Sequence, residues 1–253
     1  MKTEQTLPLA KLTPDATISQ IISADREAGK LLASIGLSPE AHEQETLRSI
    51  CQQKQWSEVE VLEWVKKNSI TDNADVLRGY DEEPDFGADL GKWISFMEKT
   101  FIHPNLEILD QLKDNFPRVL QVHGNQYPWL KHVKWHFSNF DESLRLYYEF
   151  ERKKFYPLAE RLENSKKKHV NHGIIQKLKK SIKIIGQDQG RLNYIMNTIR
   201  EKTENFEAPA EACSTLRIQY ENFERLFPNV VRHFNYESEK IIPLLKQRLH
   251  QNA

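Results

Sequence analysis

Apolar residues recur at intervals of three and four along most of the chain, which is the spacing that gathers them on one face of an α-helix. Near the N-terminus the pattern comes in short blocks, such as Ile18, Ile21 and Ile22. Thr13-Pro14 precedes the first block and is typical of a helix start, because proline is tolerated in the first helical turn. The pattern therefore predicts a small N-terminal helical domain over residues 1–76.

The helical pattern is interrupted before a longer periodic region. Residues 77–89 are rich in acidic residues and contain proline and glycine, so they are predicted to form an acidic linker. The periodic segments that follow within 90–253 cover roughly 90–125, 127–164, 170–205 and 210–250. Long helices joined by short loops predict an antiparallel four-helix bundle, and the fold class is therefore all-α. Pro117 and Pro157 lie in these segments, and we expect a kink or an early stop at each.

The charge balance excludes several classes of function. The chain has 36 basic and 36 acidic residues, so no net field draws it to nucleic acid or to anionic membranes. It contains no apolar run of the length that a signal peptide or a bilayer span requires. We therefore expect a cytoplasmic protein that binds neither nucleic acid nor membranes. Cys51 and Cys213 are far apart, which favours reduced, buried thiols over a disulfide or a thiolate metal site.

One stretch of the chain is repeated. Residues 147–158 align without a gap with residues 233–244, and both copies place a glutamate six residues before a proline. The two copies lie in the second and fourth predicted bundle helices. The bundle is thus predicted to be a duplicated helical hairpin.

The second copy also carries a histidine beside its glutamate. His233 and Glu237 are four residues apart, which places an imidazole and a carboxylate on one helical face, as in helical metal sites. Such a pair is common and is weak evidence alone. Glu151 repeats the position of Glu237, however, and carboxylates from two bundle helices can enter the core and bridge metal ions.

With these residues the chain resembles a known family. The motifs that carry the resemblance occur in order as Val122-His123-Gly124, Glu151 before Phe155-Tyr156-Pro157, Glu211-Ala212-Cys213, and His233-x-x-x-Glu237 before Ile242-Pro243. They are similar to the landmarks of hemerythrin-like proteins of the iron-sulfur-cluster-repair di-iron family, also called regulators of cell morphogenesis and NO signalling. The resemblance implies a non-haem di-iron stress protein that responds to nitric oxide or oxidants. Its partners would be iron-sulfur client proteins, and a homodimer is compatible with it.

The resemblance also implies a set of iron ligands. His123, His233 and Glu237 would ligate iron, and Glu151 and Glu237 would be the bridging carboxylates. His103 lies near the position at which the first bundle helix of the family offers a ligand.

The chain departs from the family pattern in each domain. Tyr147 stands where the family has a histidine, and the third bundle helix contains Gln187 and Asp188 in place of a His-Asp pair. In the N-terminal domain, Glu40-Ala41 occupies the position of the adjacent cysteines of the family.

These departures leave several interpretations open. In one, Tyr147 and either Asp188 or Gln187 supply oxygen ligands to an altered iron site. In another, the bundle has lost its metal, the remaining histidines and glutamates pair with each other, and the protein is an interaction or regulatory module. A third is oxygen or iron binding without repair activity.

Overall fold

The computed structural model describes residues 7–69, 84–164 and 172–251. Within these ranges the regular elements are helices, and no strand is present apart from an isolated bridge between Thr17 and Thr46. The all-α prediction is thus confirmed for this part of the chain. Residues 77–83 of the predicted linker, and its proposed boundary with the N-terminal domain, lie outside the described residues.

The N-terminal part contains short helices, as predicted. They are α1 (Ile18–Ala24), α2 (Arg26–Ser34), α3 (Leu47–Gln53) and α4 (Glu58–Ser69). Their apolar faces form a cluster of buried side chains that includes Leu32 and Leu47. Helix α1 begins with a capping box, because the Thr17 hydroxyl accepts the Gln20 N–H and the Gln20 side chain accepts the Thr17 N–H.

This capping box stabilises the N-terminal helices. We expect Thr17→Ala to lower the free energy of unfolding by about 1 kcal/mol, because two backbone N–H groups lose their partners or their alignment. Urea denaturation followed by circular dichroism measures the change. Gln52→Ala, at an exposed position of α3, is the matched control and should change stability by less than about 0.5 kcal/mol. Equal losses in the two variants would show that the cap contributes nothing.

Long helical segments make up the remainder of the described chain. The α-helices are α5 (Leu90–Met97), α6 (His103–His123), α7 (Trp129–Phe150), α8 (Tyr156–Asn164), α9 (His172–Lys202), α10 (Ser214–Tyr236) and α11 (Ile242–Gln251). Single π-helical turns connect α5 to α6, α7 to α8 and α10 to α11 without interrupting the helical path, at Glu98–Ile102, Glu151–Phe155 and Glu237–Ile241. The result is helical segments over 90–123, 129–164, 172–202 and 214–251, in agreement with the predicted periodic segments.

These helices share a large apolar core. Helix α6 packs along α10, and α7 packs along α9. Aromatic rings fill the space between them, and Phe116, Phe137 and Phe223 lie with ring centroids 5.0–6.1 Å apart. No described helix has both the length and the apolar character needed to cross a lipid bilayer.

The N-terminal helices are attached to α10. Ile218 of α10 belongs to the N-terminal apolar cluster, and the indole N–H of Trp64 donates to Asn222 Oδ1 at 3.2 Å. Helix α10 therefore carries both the contact with the N-terminal helices and, at its other end, His233.

The prolines do not end their helices. Pro117 lies inside α6, and Pro157 is the second residue of α8. The expectation of an early stop is wrong at both positions. At Pro157 the irregularity takes the form of the preceding π turn, in which the helical path continues.

Candidate metal centre

The described π turns share one sequence pattern. Each begins at a glutamate, Glu98, Glu151 or Glu237, whose carbonyl accepts a hydrogen bond from the N–H five residues later. In every case the next residue is proline, at 104, 157 or 243. Proline has no N–H, and its ring crowds the carbonyl four residues earlier, so the wider turn is accommodated there. The repeated Glu-x5-Pro pattern thus has a structural cause, and it occurs a third time at Glu98.

Two of these turns bring their glutamates together in the core. Glu151, His233 and Glu237 are each 0% exposed. His233 Nε2 lies 2.9 Å from Glu151 Oε1 and 3.6 Å from Glu237 Oε2. One ligand atom from each residue can be chosen so that all lie within 4.8 Å of one another. This group, which we call the Glu-His-Glu cluster, could hold a metal ion.

Tyr147 and Gln189 close one side of the Glu-His-Glu cluster. The Tyr147 hydroxyl donates to Glu237 Oε2. The Gln189 amide donates to the same oxygen at 2.9 Å and to the Tyr147 hydroxyl at 3.1 Å. Only Oε2 of Glu237 takes part in these bonds, and the other carboxylate oxygen, Oε1, is buried without a hydrogen-bond partner in the described part of the chain.

Aromatic rings surround the imidazole of His233. The centroids of Tyr148, Phe101, Tyr147 and Phe234 lie 5.2, 5.7, 5.9 and 6.1 Å from its own. Tyr148 is itself held by Asn105, whose amide donates to the phenol at 2.6 Å. This wall excludes water, which increases the cost of leaving a charge or a polar atom unpaired in the cluster.

Burial shifts every titratable member of the cluster toward its neutral form. It raises the pKa of Glu151 to about 8. Burial, and then the negative charge of Glu151, raises the pKa of Glu237 well above its ordinary value. Burial also lowers the pKa of His233 to about 4. At neutral pH the imidazole is therefore uncharged, which is the form that ligates metals, and the two carboxyl groups hold protons that a bound cation would displace.

Several polar atoms of the cluster have no partner. Within the described part of the chain, Glu151 Oε2, Glu237 Oε1 and His233 Nδ1 are buried without a partner at good hydrogen-bond geometry, and the two carboxyl groups instead lie close enough for each to shift the pKa of the other. Buried polar atoms are almost always paired in folded proteins, and each unpaired one costs about 1–3 kcal/mol. A cation bound by the carboxylate oxygens would satisfy this requirement, so the residues present fit a metal ion.

The other predicted ligands lie elsewhere. His103 is exposed. Phe101 and Asn105, in the same helical segment, are both buried in the core. His103 is two positions from each of them and therefore lies on the opposite side of the helix. His123 is buried, but its Nε2 lies 2.9 Å from Cys213 Sγ. The structure thus brings three of the five predicted ligands together and places the other two outside the cluster.

Helix α9 contributes a residue, Gln189, that sequence reasoning missed. Asp188 forms an ion pair with Arg191 at 3.2 Å, and Gln187 is exposed, so neither reaches the cluster. Gln189 does. The signal was its spacing, because position 189 is four residues after Ile185 and three before Leu192, both buried.

No protein-family model matches this chain. The geometry of the Glu-His-Glu cluster and the resemblance in motifs therefore carry the functional argument.

Proposed function

We propose that this protein is an iron-binding, hemerythrin-like protein of the iron-sulfur-cluster-repair type, in which the four long helical segments form an antiparallel bundle around the Glu-His-Glu cluster. The packing of α6 on α10 and of α7 on α9 supports this arrangement. Under the same proposal the protein acts in the cytoplasm in the response to nitric oxide or oxidants. Iron-sulfur proteins are its clients, and the chain forms a homodimer.

The observation that carries the proposal is the buried, unpaired set of donor atoms in the cluster. Two carboxylates and one neutral imidazole lie together where water is excluded. Metal binding releases the protons that burial holds on the two carboxyl groups. The cation then neutralises the negative charge of the buried carboxylates. Histidine with carboxylate ligands is typical of non-haem ferrous iron sites, and the cluster contains no thiolate of the kind that copper(I) and iron-sulfur sites use.

The donor set favours one ion over two. In the described residues, the cluster contains one histidine and two glutamates that could each bind through one atom. Tyr147 and Gln189 stand on helices from which the resemblance implies histidine ligands, and both are engaged with Glu237 Oε2. The ion would be held by Glu151, His233 and Glu237. Bound iron would supply a redox-active centre for small diatomic or oxidant molecules.

A metal-free role is the second candidate, and specific contacts favour it. His233 is already paired with Glu151, and Tyr147 and Gln189 already bond to Glu237. These bonds hold part of the cluster together without a cation. In that case the helices would act as an interaction or regulatory module.

Metal content separates the two candidates. The full chain is purified without an affinity resin that carries nickel, and its metals are measured before and after anaerobic reconstitution with ferrous iron. About one iron per chain supports the proposed function, and less than about 0.2 per chain after reconstitution supports the metal-free role. Two irons per chain would contradict the single-ion arrangement.

Tyr147 is expected to position Glu237 without itself ligating iron. Burial raises the pKa of Tyr147 well above its ordinary value, and its hydroxyl donates to Glu237. Tyr147→Phe should weaken iron binding by about tenfold, as is usual when a group that orients a ligand is removed. A competition titration with a chelator measures the affinity.

Tyr148→Phe is the matched control for this prediction. Tyr148 is the adjacent buried tyrosine, but its phenol is bonded to Asn105. Its loss should change the iron affinity by less than about twofold. A visible phenolate-to-iron absorption band that disappears in Tyr147→Phe would contradict the prediction and would make Tyr147 a ligand.

A further inference from the structure

Cys213 and His123 form a second constellation of reactive groups. His123 Nε2 lies 2.9 Å from Cys213 Sγ, and His123 is 4% exposed. Cys213 is the residue that caps the N-terminus of α10, whereas His233 lies at its far end. The twenty residues between them span roughly 30 Å of helix. The pair is therefore remote from the Glu-His-Glu cluster and independent of it.

The surroundings of this pair contain buried polar atoms that lack hydrogen-bond partners, although Cys213 also packs against the N-terminal apolar cluster. The Tyr127 ring stacks on the His123 imidazole, with centroids 5.5 Å apart. In the described part of the chain, His123 Nδ1 and the Tyr127 hydroxyl are buried and have no hydrogen-bond partner. Burial lowers the pKa of His123, so its imidazole is neutral and can accept a proton.

The cysteine is also held in place at the positive end of a long helix. Helix α10 spans Ser214–Tyr236, and the Cys213 side chain does not cap its first-turn N–H groups. Arg217 donates to the carbonyls of Pro209, Ala210 and Ala212, which fixes the segment that leads to the thiol. Reactive thiols in proteins typically lie at helix N-termini or beside histidine, and Cys213 meets both conditions.

The other cysteine is more deeply buried, inside the apolar cluster against which Cys213 packs. Cys51 is fully buried in the N-terminal apolar cluster, and burial raises the pKa of its thiol to about 11. Cys213 is only partly buried, contrary to the expectation of two buried thiols. The chain thus contains one candidate reactive thiol and, because it has two cysteines, one internal control.

We propose that Cys213 is a peroxide-reactive thiol and that His123 acts as its general base and acid. The partial burial of Cys213 favours a small oxidant such as hydrogen peroxide over a bulky disulfide. This site does not depend on the metal proposed for the Glu-His-Glu cluster.

The reaction balances with hydrogen peroxide as the only co-reactant. Cys213 Sγ attacks one peroxide oxygen, so an S–O bond forms as the O–O bond breaks. His123 Nε2 takes the thiol proton and passes it to the departing oxygen, which leaves as water. The sulfur loses two electrons and becomes a sulfenic acid. Two molecules of a small thiol would return it to the thiol and release a disulfide and water.

Trapping the sulfenic acid tests the proposal. The full chain is treated with hydrogen peroxide in the presence of dimedone, and the modified peptides are quantified by mass spectrometry over time. Cys213 should be labelled at least about tenfold faster than N-acetylcysteine at the same pH, and Cys51 only after unfolding in urea. His123→Gln should slow the labelling of Cys213 at least about tenfold, while His132→Gln, at an exposed position, should leave it unchanged.

Two results would overturn the proposal. One is a rate of Cys213 labelling no higher than the rate for N-acetylcysteine. This comparison uses only the parent protein, so it remains valid even if His123→Gln fails to fold. The other is an unchanged rate in a His123→Gln protein whose circular dichroism matches the parent. Cys213→Ser should lose the adduct and keep the parent iron content, so a failure of this proposal is distinguishable from a failure of the metal site.

Discussion

Glu237→Gln should abolish iron binding by the reconstituted protein, with a loss of affinity of about 100-fold or more. Glu237 supplies one of the two buried carboxylates of the cluster, and within the described residues its Oε1 is buried without a hydrogen-bond partner. An amide carries no negative charge and cannot neutralise a cation that is cut off from water. Anaerobic titration with ferrous iron against a chelator, with elemental analysis of the desalted protein, measures the loss.

The π turn itself provides the matched control. Glu239 lies two residues after Glu237 in the same turn and is exposed. Glu239→Gln removes the same charge from the same segment without touching the cluster, so it should bind iron as the parent does. Equal iron content in the parent and in both variants would show that the metal binds outside the Glu-His-Glu cluster and would contradict the proposed site.

Glu151→Gln should stabilise the metal-free protein at pH 7 by on the order of 3 kcal/mol, although it removes one carboxylate from the proposed iron site. In the unfolded chain a glutamate has a pKa near its ordinary value, whereas burial raises the pKa of Glu151 to about 8 in the folded protein. At pH 7 folding must therefore take up a proton that the unfolded carboxylate has already lost. A buried amide does not incur this cost.

The same reasoning fixes the sign of the pH dependence. Between about pH 4.5 and pH 8 the folded state of the metal-free protein binds more protons at Glu151 than the unfolded state does. His233, whose pKa burial lowers to about 4, acts in the opposite direction up to about pH 6.5, so the stability should fall with rising pH between about pH 6.5 and pH 8. Glu237, whose pKa burial also raises, acts in the same direction as Glu151. Urea denaturation of the chelator-treated protein at several pH values measures the slope, which should be smaller in Glu151→Gln.

Glu149→Gln is the control for this prediction. Glu149 is an exposed glutamate two residues earlier, and it accepts a bond from Lys153 at 2.6 Å. Its replacement should change stability by less than about 0.5 kcal/mol. A metal-free parent that becomes more stable from about pH 6.5 to pH 8, or a Glu151→Gln variant that is less stable than the parent, would show that Glu151 is charged and paired in the folded state.

The repeated Glu-x5-Pro pattern is an example of what local sequence information can predict. The apolar periodicity predicts the helical segments, because the side-chain face of a helix depends only on neighbours three and four residues away. The alignment of the two copies predicts that Glu151 and Glu237 are equivalent. The i, i+4 spacing of His233 and Glu237 joins the histidine to them. All three residues belong to the cluster found in the core.

The π turns are a feature that apolar periodicity does not predict. A π turn inserts one extra residue into a helix and rotates everything that follows relative to what precedes it. The turn at Glu98–Ile102 comes directly before His103, which is exposed. Regular helical spacing does not include that rotation. The sequence pattern alone could therefore not predict on which side of the helix His103 lies.

The sequence by itself determined the all-α class, the helical segments and the pairing of His233 with Glu237 on one helical face, because these follow from spacing within single helices. Only the tertiary structure decided which side chains from different helices meet. It placed Gln189 on Glu237 and His123 on Cys213, pairs that are 48 and 90 residues apart in the chain. Such contacts depend on how far one helix slides and rotates against another, and packing across the whole core sets that register.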